Sequence, residues 1–214
     1  MEGRFHTLFV SGLVAAAMSL AMPALAQAPV EPPTAEPPKP IEPPSNLPRV
    51  QRGDPLQNLD RLFQALKVAP DAESAKYIEN RIWSVWFSAG GDTGNLLMTR
   101  VKTAVDGKDI DLAIKLLTAI IDIRPDYVEA WNRRATLYYM KKEFGRSLSD
   151  LREVLALEPR HFGALSGLGM IFQELGDEKS ALDAFRRALA IHPRLERIPD
   201  LVKRLTEKVD GRDI

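Results

Sequence analysis

The chain contains no cysteine. Disulfides, thiol catalysis and thiolate metal sites are excluded by that absence, as is lipid attachment through a lipobox cysteine. Charge of one sign is missing too, because 29 Lys plus Arg face 29 Asp plus Glu. A nucleic-acid binder normally carries a basic excess or a basic stripe, so no nucleic-acid partner is expected. Histidines number 3. Two of them, His161 and His192, lie beyond the N-terminal segment, with neither H-x3-H nor H-E-x2-H spacing. No metal site is expected. After residue 26 no apolar run approaches the length of a membrane span, so the mature form should not be membrane-embedded.

Catalytic patterns are equally scarce. Gly163-Ala164-Leu165-Ser166-Gly167 places its serine one position late for a nucleophile elbow. Gly167-Leu168-Gly169 follows no strand and lacks the third glycine of a phosphate loop. Gly167 and Gly169 read instead as sites of close helix approach. Asp150 and Glu153, one helical turn apart, read as solvated charge. The expectation is no enzyme, no catalytic residue and no cofactor.

What is present begins with an N-terminal segment of secretory type. Arg4 is its positive end, Leu8 to Leu20 its apolar stretch, and Ala24-Leu25-Ala26 a small-residue cleavage site. Cleavage after Ala26 would leave 188 residues and a periplasmic protein. The alternative is an uncleaved anchor in the inner membrane, since Leu8 to Ala26 is nominally long enough to span. Residues 27–55 then hold ten of the 16 prolines. Proline fixes φ and removes backbone donors, so this stretch reads as an extended, disordered linker arm.

From residue 56 the pattern is helical. Leu59, Leu62, Phe63 and Leu66 mark one buried face, and Ile78, Ile82, Val85 and Trp86 a second, widened by Trp83 and Phe87. Gly90-Gly91 ends this hairpin, assigned to 56–93. Beyond it, Pro125, Pro159 and Pro193 stand 34 residues apart, each closing a segment of similar pattern. Such a period identifies a stacked helix–turn–helix array, with repeats at 94–127, 128–161 and 162–195. Leu97, Val101, Ala104, Ala113, Leu117 and Ile120 form the first core. The second is Trp131, Ala135, Tyr138, Ser147, Leu151 and Val154, and the third Leu165, Gly169, Phe172, Ala181, Phe185 and Ala188. Ala113, Ser147 and Ala181 fall where paired helices cross. Leu201, Val202, Leu205 and Val209 then form the apolar face of a last helix, within 196–214, that shields the end of the array.

These residues resemble the tetratricopeptide repeat family. The third repeat fits best, with Leu165, Leu168, Gly169 and Phe172 followed by Ala181, Phe185, Ala188 and Pro193. The second has Arg134 and Ala135, and the first Arg100 and Val101, where the family usually has leucine and glycine. With its leader and proline-rich arm, the chain is similar to exported members from Gram-negative envelopes. That resemblance implies an all-α, right-handed superhelical solenoid of antiparallel helix pairs, with a degenerate N-terminal repeat and a C-terminal capping helix.

It also implies a protein or peptide partner held in a concave groove lined by the first helix of each repeat. By family position the groove presents Asn95, Met98, Thr99 and Lys102 from the first repeat. The second offers Glu129, Asn132, Arg133, Thr136 and Tyr139, and the third Gly163, Ser166, Gly167, Met170 and Gln173. One subfamily clamps a chaperone's terminal carboxylate with Lys, Asn and Arg at set positions, and here only Lys102 matches that set. The reading is therefore a non-enzymatic scaffold for an envelope protein, monomeric or weakly homo-oligomeric. The alternative is a self-assembling structural protein. Arg160 and His161 are read either as a helix cap or as ligand contacts at the groove edge.

Overall fold

The computed structural model describes residues 55–211; the expected signal peptide and the arm up to residue 54 lie outside them. The described residues form helices without strands: α1 Pro55–Lys67, α2 Ala72–Ser88, α3 Gly91–Asp106, α4 Ile110–Ile123, α5 Val128–Met140, α6 Phe144–Leu157, α7 Phe162–Glu174, α8 Glu178–Ile191 and α9 Ile198–Asp210. The pairs α3–α4, α5–α6 and α7–α8 are the three repeats. α3 starts at Gly91, three residues ahead of the expected boundary, because only Ala89 and Gly90 separate it from α2.

Three helices, α2, α4 and α8, start at short acidic caps. Asp71, Asp109 and Asp177 each accept a hydrogen bond from a backbone N–H three residues on, at 2.7, 3.0 and 3.0 Å. Each satisfies a donor that the first helical turn leaves free. The turn inside every repeat is closed the same way. Lys108, Lys142 and Gly176 take left-handed φ values of 60°, 59° and 78°. The next residue's N–H then reaches back to a carbonyl five positions earlier: Asp109 to Ala104, Glu143 to Tyr138, and Asp177 to Phe172. This is a Schellman closure repeated at a 34-residue interval.

Small residues sit where the pairs cross. Ala113, Ser147 and Ala181 are fully buried, and the Ser147 hydroxyl donates to the Ala135 carbonyl at 2.7 Å. A Cβ on Gly169 would overlap the Phe185 ring, so that glycine does permit close approach, whereas one on Gly167 would meet Leu151 at an ordinary 3.5 Å. Most expected core residues are buried; Leu97, Trp131, Tyr138 and Phe172 are half-buried, Phe172 against the α8–α9 cluster. Leu201, Val202, Leu205 and Val209 of α9 cover Leu182, Phe185 and Leu189 of α8.

Asp150 corrects the reading of solvated charge. It is buried, and Arg134 donates to both its oxygens at 2.8 and 2.9 Å while donating to the Thr118 hydroxyl at 2.9 Å. The arginine at the family's leucine position thus joins α5 to α6 and to α4 of the preceding layer.

The α1–α2 hairpin lies along the row of turns between repeats. At the first turn, Tyr127 Oη donates to the Phe87 carbonyl at 2.8 Å and Arg124 donates to the Ala89 carbonyl at 3.3 Å. At the second, the His161 ring stacks on Trp86 with centroids 4.1 Å apart, and Arg160 pairs with Asp60 at 2.6 Å while covering the Phe63 ring. At the third, His192 Nε2 faces Glu79 at 3.4 Å and Arg194 donates to the Ala69 and Pro70 carbonyls at 3.1 and 2.6 Å. Burial favours a neutral Glu79, but hydrogen bonds from His192, Lys76 and Trp83 outweigh it and hold the carboxyl at about 2.

Candidate functional site

Residues 34 apart are structurally equivalent, so the facing helices α3, α5 and α7 present columns: Met98, Asn132, Ser166; Thr99, Arg133, Gly167; Lys102, Thr136, Met170. Three adjoining clefts lie over them. The first, about 430 Å³, is lined by Ser84, Phe87, Ser88, Asn95, Met98, Thr99, Lys102 and Arg133. A second, about 360 Å³, is walled by Trp83, Phe87, Val101, Val105, Leu137 and Met140, with Glu129, Asn132, Arg133 and Thr136 at its polar side. The third, about 180 Å³, runs between Asn132, Thr136 and Tyr139 of α5 and Gly163, Ser166, Gly167 and Met170 of α7. Gln173, named with this set from sequence, is exposed on α7 and lines none of the three.

Sequence reasoning missed α2 as a wall of this groove. Trp83, Ser84, Phe87 and Ser88 line its first two clefts. The signal was in the pattern, since Trp83 and Phe87 widen α2's apolar stripe beyond what packing on α1 requires. Gly163 is the complementary sign. A Cβ there would come within 2.9 Å of the Trp83 ring, so the absent side chain makes room for α2.

The groove's hydroxyls are held in place by their own helices. Thr99, Thr136 and Ser166 each donate to the carbonyl four residues back, at 3.0, 3.0 and 2.8 Å. Their lone pairs are left as acceptors.

Glu129, placed in the groove by family position, lines the second cleft yet is buried. Its side chain is only 1% exposed at the floor of the second cleft, between His161 Nε2 at 3.4 Å, Asn132 at 3.4 Å and Arg133 Nε at 3.7 Å. His161 resolves to the cap: Nδ1 accepts the Ala164 N–H at 3.0 Å, which places the ring proton on Nε2, toward Glu129. Arg160 is taken up by Glu158 and Asp60. Nearby, burial first and Glu129 second push the Tyr127 hydroxyl up to about 12, so it is a fixed donor to α2 at any working pH.

Two cations face the groove. The Arg133 guanidinium lies over the Phe87 ring, 4.6 Å from its centroid. Lys102 pairs with Asp106 one turn along α3 at 2.6 Å, both side chains well exposed.

A tetratricopeptide repeat profile matches residues 142–196, which span α6 to α8. A TPR repeat-containing protein of Rhizobium etli is 41% identical over 157 residues, covering 73% of this chain and 77% of that protein. The chain belongs to the tetratricopeptide repeat family. Solved structures agree on the fold. The first TPR domain of Spaghetti (RPAP3), bound to an HSP90 peptide, superposes with a TM-score of 0.51 at 21% identity, covering 54% of this chain and 91% of that one. The MamA protein gives 0.51 at 18% identity, covering 74% and 85%. Tetratricopeptide repeat proteins are generally scaffolds for protein–protein interaction and not enzymes. Among the described residues no helix is long and apolar enough to cross a membrane.

Proposed function

We propose that this chain is a non-enzymatic adaptor that holds a segment of a partner protein between α2 and the facing helices α3, α5 and α7. The lining of the groove supports this reading most. Aromatic and methionine side chains alternate there with amides and hydroxyls, in three small adjoining clefts. A row of clefts takes successive side chains of an extended segment, whereas a small-molecule site is one enclosed pocket.

The leader at 1–26 and the arm at 27–55 supply the rest of the proposal: an exported protein, cleaved after Ala26, whose partner is an envelope protein. N-terminal sequencing of the osmotic-shock fraction should begin at Gln27; an intact leader in the membrane pellet would leave the uncleaved anchor.

A photocrosslinking amino acid placed at Thr136 or Met140, inside the groove, should yield adducts in intact cells. Placed at Arg152, an exposed position on α6, it should yield none. Adducts to a second copy of the chain would favour self-assembly, and adducts from Arg152 alone would move binding off the groove.

A further inference from the structure

We infer that the segment bound here carries an acidic residue beside a large apolar one, the carboxylate entering between Lys102 and Arg133 and the apolar side chain filling the neighbouring Trp83–Phe87–Met140 cleft. This rests on the groove reading above and names the chemistry of its occupant. The cleft beside α3 is lined by two cations, one amide, three hydroxyls, Phe87 and Met98, and by no carboxylate. The acids nearest to those cations leave them available. Asp106 holds Lys102 at the surface, where water competes with the pair. Glu129 meets Arg133 only at 3.7 Å, and Arg133 Nε is buried without any hydrogen bond.

The Arg133 side chain as a whole is 39% exposed to the cleft, and a guanidinium fork suits a carboxylate bidentately. Phe87 holds the guanidinium over its ring face at the cleft wall. A basic residue there would meet the two like charges of Lys102 and Arg133 instead.

Phe87 and Arg133 line both this cleft and the apolar one. The shared wall sets the spacing in the ligand, where the acidic and the apolar residue must lie within one or two positions of each other. Trp83, Ser84, Phe87 and Ser88 of this surface come from α2, outside the regular repeats, so it is specific to this chain's hairpin placement.

The test is selection of a displayed library of random heptapeptides on the whole chain. The best binders are then synthesised with acetylated and amidated ends, and their affinities measured by fluorescence anisotropy. Enriched peptides should pair Asp or Glu with Phe, Leu, Met or Trp within two positions. Changing the peptide's acid to its amide should weaken binding about tenfold. Arg133→Gln should do the same, and the two changes together should cost little more than either alone. Lys102→Ala, at an exposed site that cannot unsettle the fold, should cost about threefold, and Arg133→Glu should recover affinity for a peptide whose acid is replaced by Lys.

Neutral or basic enriched peptides, or acidic ones indifferent to both Arg133→Gln and Lys102→Ala, would overturn the inference, as would a library without a saturable binder. Thr136→Trp, which fills the groove floor, separates the two readings. If it abolishes binding of acid-independent peptides, the groove stands and the acidic preference falls. If it leaves binding intact, the groove reading itself fails.

Discussion

Repeats two and three share one frame and close it with opposite chemistry. Where repeat three has Leu168 and Ala184, repeat two has Arg134 and Asp150, bonded bidentately and nearly buried. Where repeat three packs Gly169 under the Phe185 ring, repeat two packs Ala135 near Leu151. A 34-residue period thus fixes where a contact falls, and the residues filling it decide whether that contact is dispersion or charge. Repeat two has the charged version and also supplies Asn132, Arg133 and Thr136 to the groove.

The largest expected effect breaks the polar version. Asp150→Ala strands a buried guanidinium and should destabilise the chain by about 3–5 kcal/mol in chemical denaturation. Replacing Arg134 by Leu and Asp150 by Ala together, which copies repeat three, should restore most of that loss. A double variant as unstable as the single one would show that the frame alone does not fix the contact.

Breaking the apolar version should cost less. Gly169→Ala forces a methyl into the Phe185 ring and should cost about 1–3 kcal/mol. Adding Phe185→Leu, which copies repeat two, should relieve the overlap while leaving its own cavity cost. Equal losses for the single and double variants would argue against a clash.

The ends of the two repeats differ as well. The turn after repeat two meets Glu129, an acid of the array, and the turn after repeat three meets Glu79, an acid of the hairpin. The Glu79 carboxyl is held at about 2, below its ordinary 4.5. A depressed acid contributes stability that is present above its unfolded value and lost as pH falls through its folded one. Between about pH 4.5 and 2, hairpin attachment should weaken by on the order of 1–2 kcal/mol after solvent screening. Hydrogen exchange of α2 against pH measures this, and Glu79→Gln should flatten the profile in that window.

At the turns inside the repeats the contrast is smallest. Repeat three uses Gly176 in the left-handed conformation, while repeat two asks it of Lys142. Lys142→Gly should stabilise by about 1 kcal/mol, the ordinary cost of a side chain at that φ. Lys108→Gly should match it, and a shift in thermal midpoint with the reverse sign would show that the lysine side chains help close these turns.

The repeats, their turns and the last helix were legible in sequence because period and patterning are local. Proline spacing and small residues at crossings each leave a mark in the sequence of every repeat. What lay between segments was not legible. Periodicity shows that Trp83 and Trp86 lie on the apolar side of α2 but not what they meet, so the hairpin's place along the turns was invisible. Asp150 looked solvated because its partner is 16 residues away on another helix. Glu129 stood at a groove position and lines the second cleft, but its burial among His161, Asn132 and Arg133 depends on residues from other parts of the chain. Most of the remaining groove residues do line the clefts, since family position specifies a helix face, and Gln173 falls beyond their reach.

The hairpin also makes the array a counted object. Open solenoids gain and lose repeats readily because each layer touches only its neighbours. Here α1 and α2 act as a ruler laid across three successive turns, touching Arg124 and Tyr127, then Arg160 and His161, then His192 and Arg194. An extra repeat spliced in after His161 would carry His192 and Arg194 one layer past Glu79 and the Ala69–Pro70 carbonyls. Its length is therefore set by the hairpin as much as by the cap.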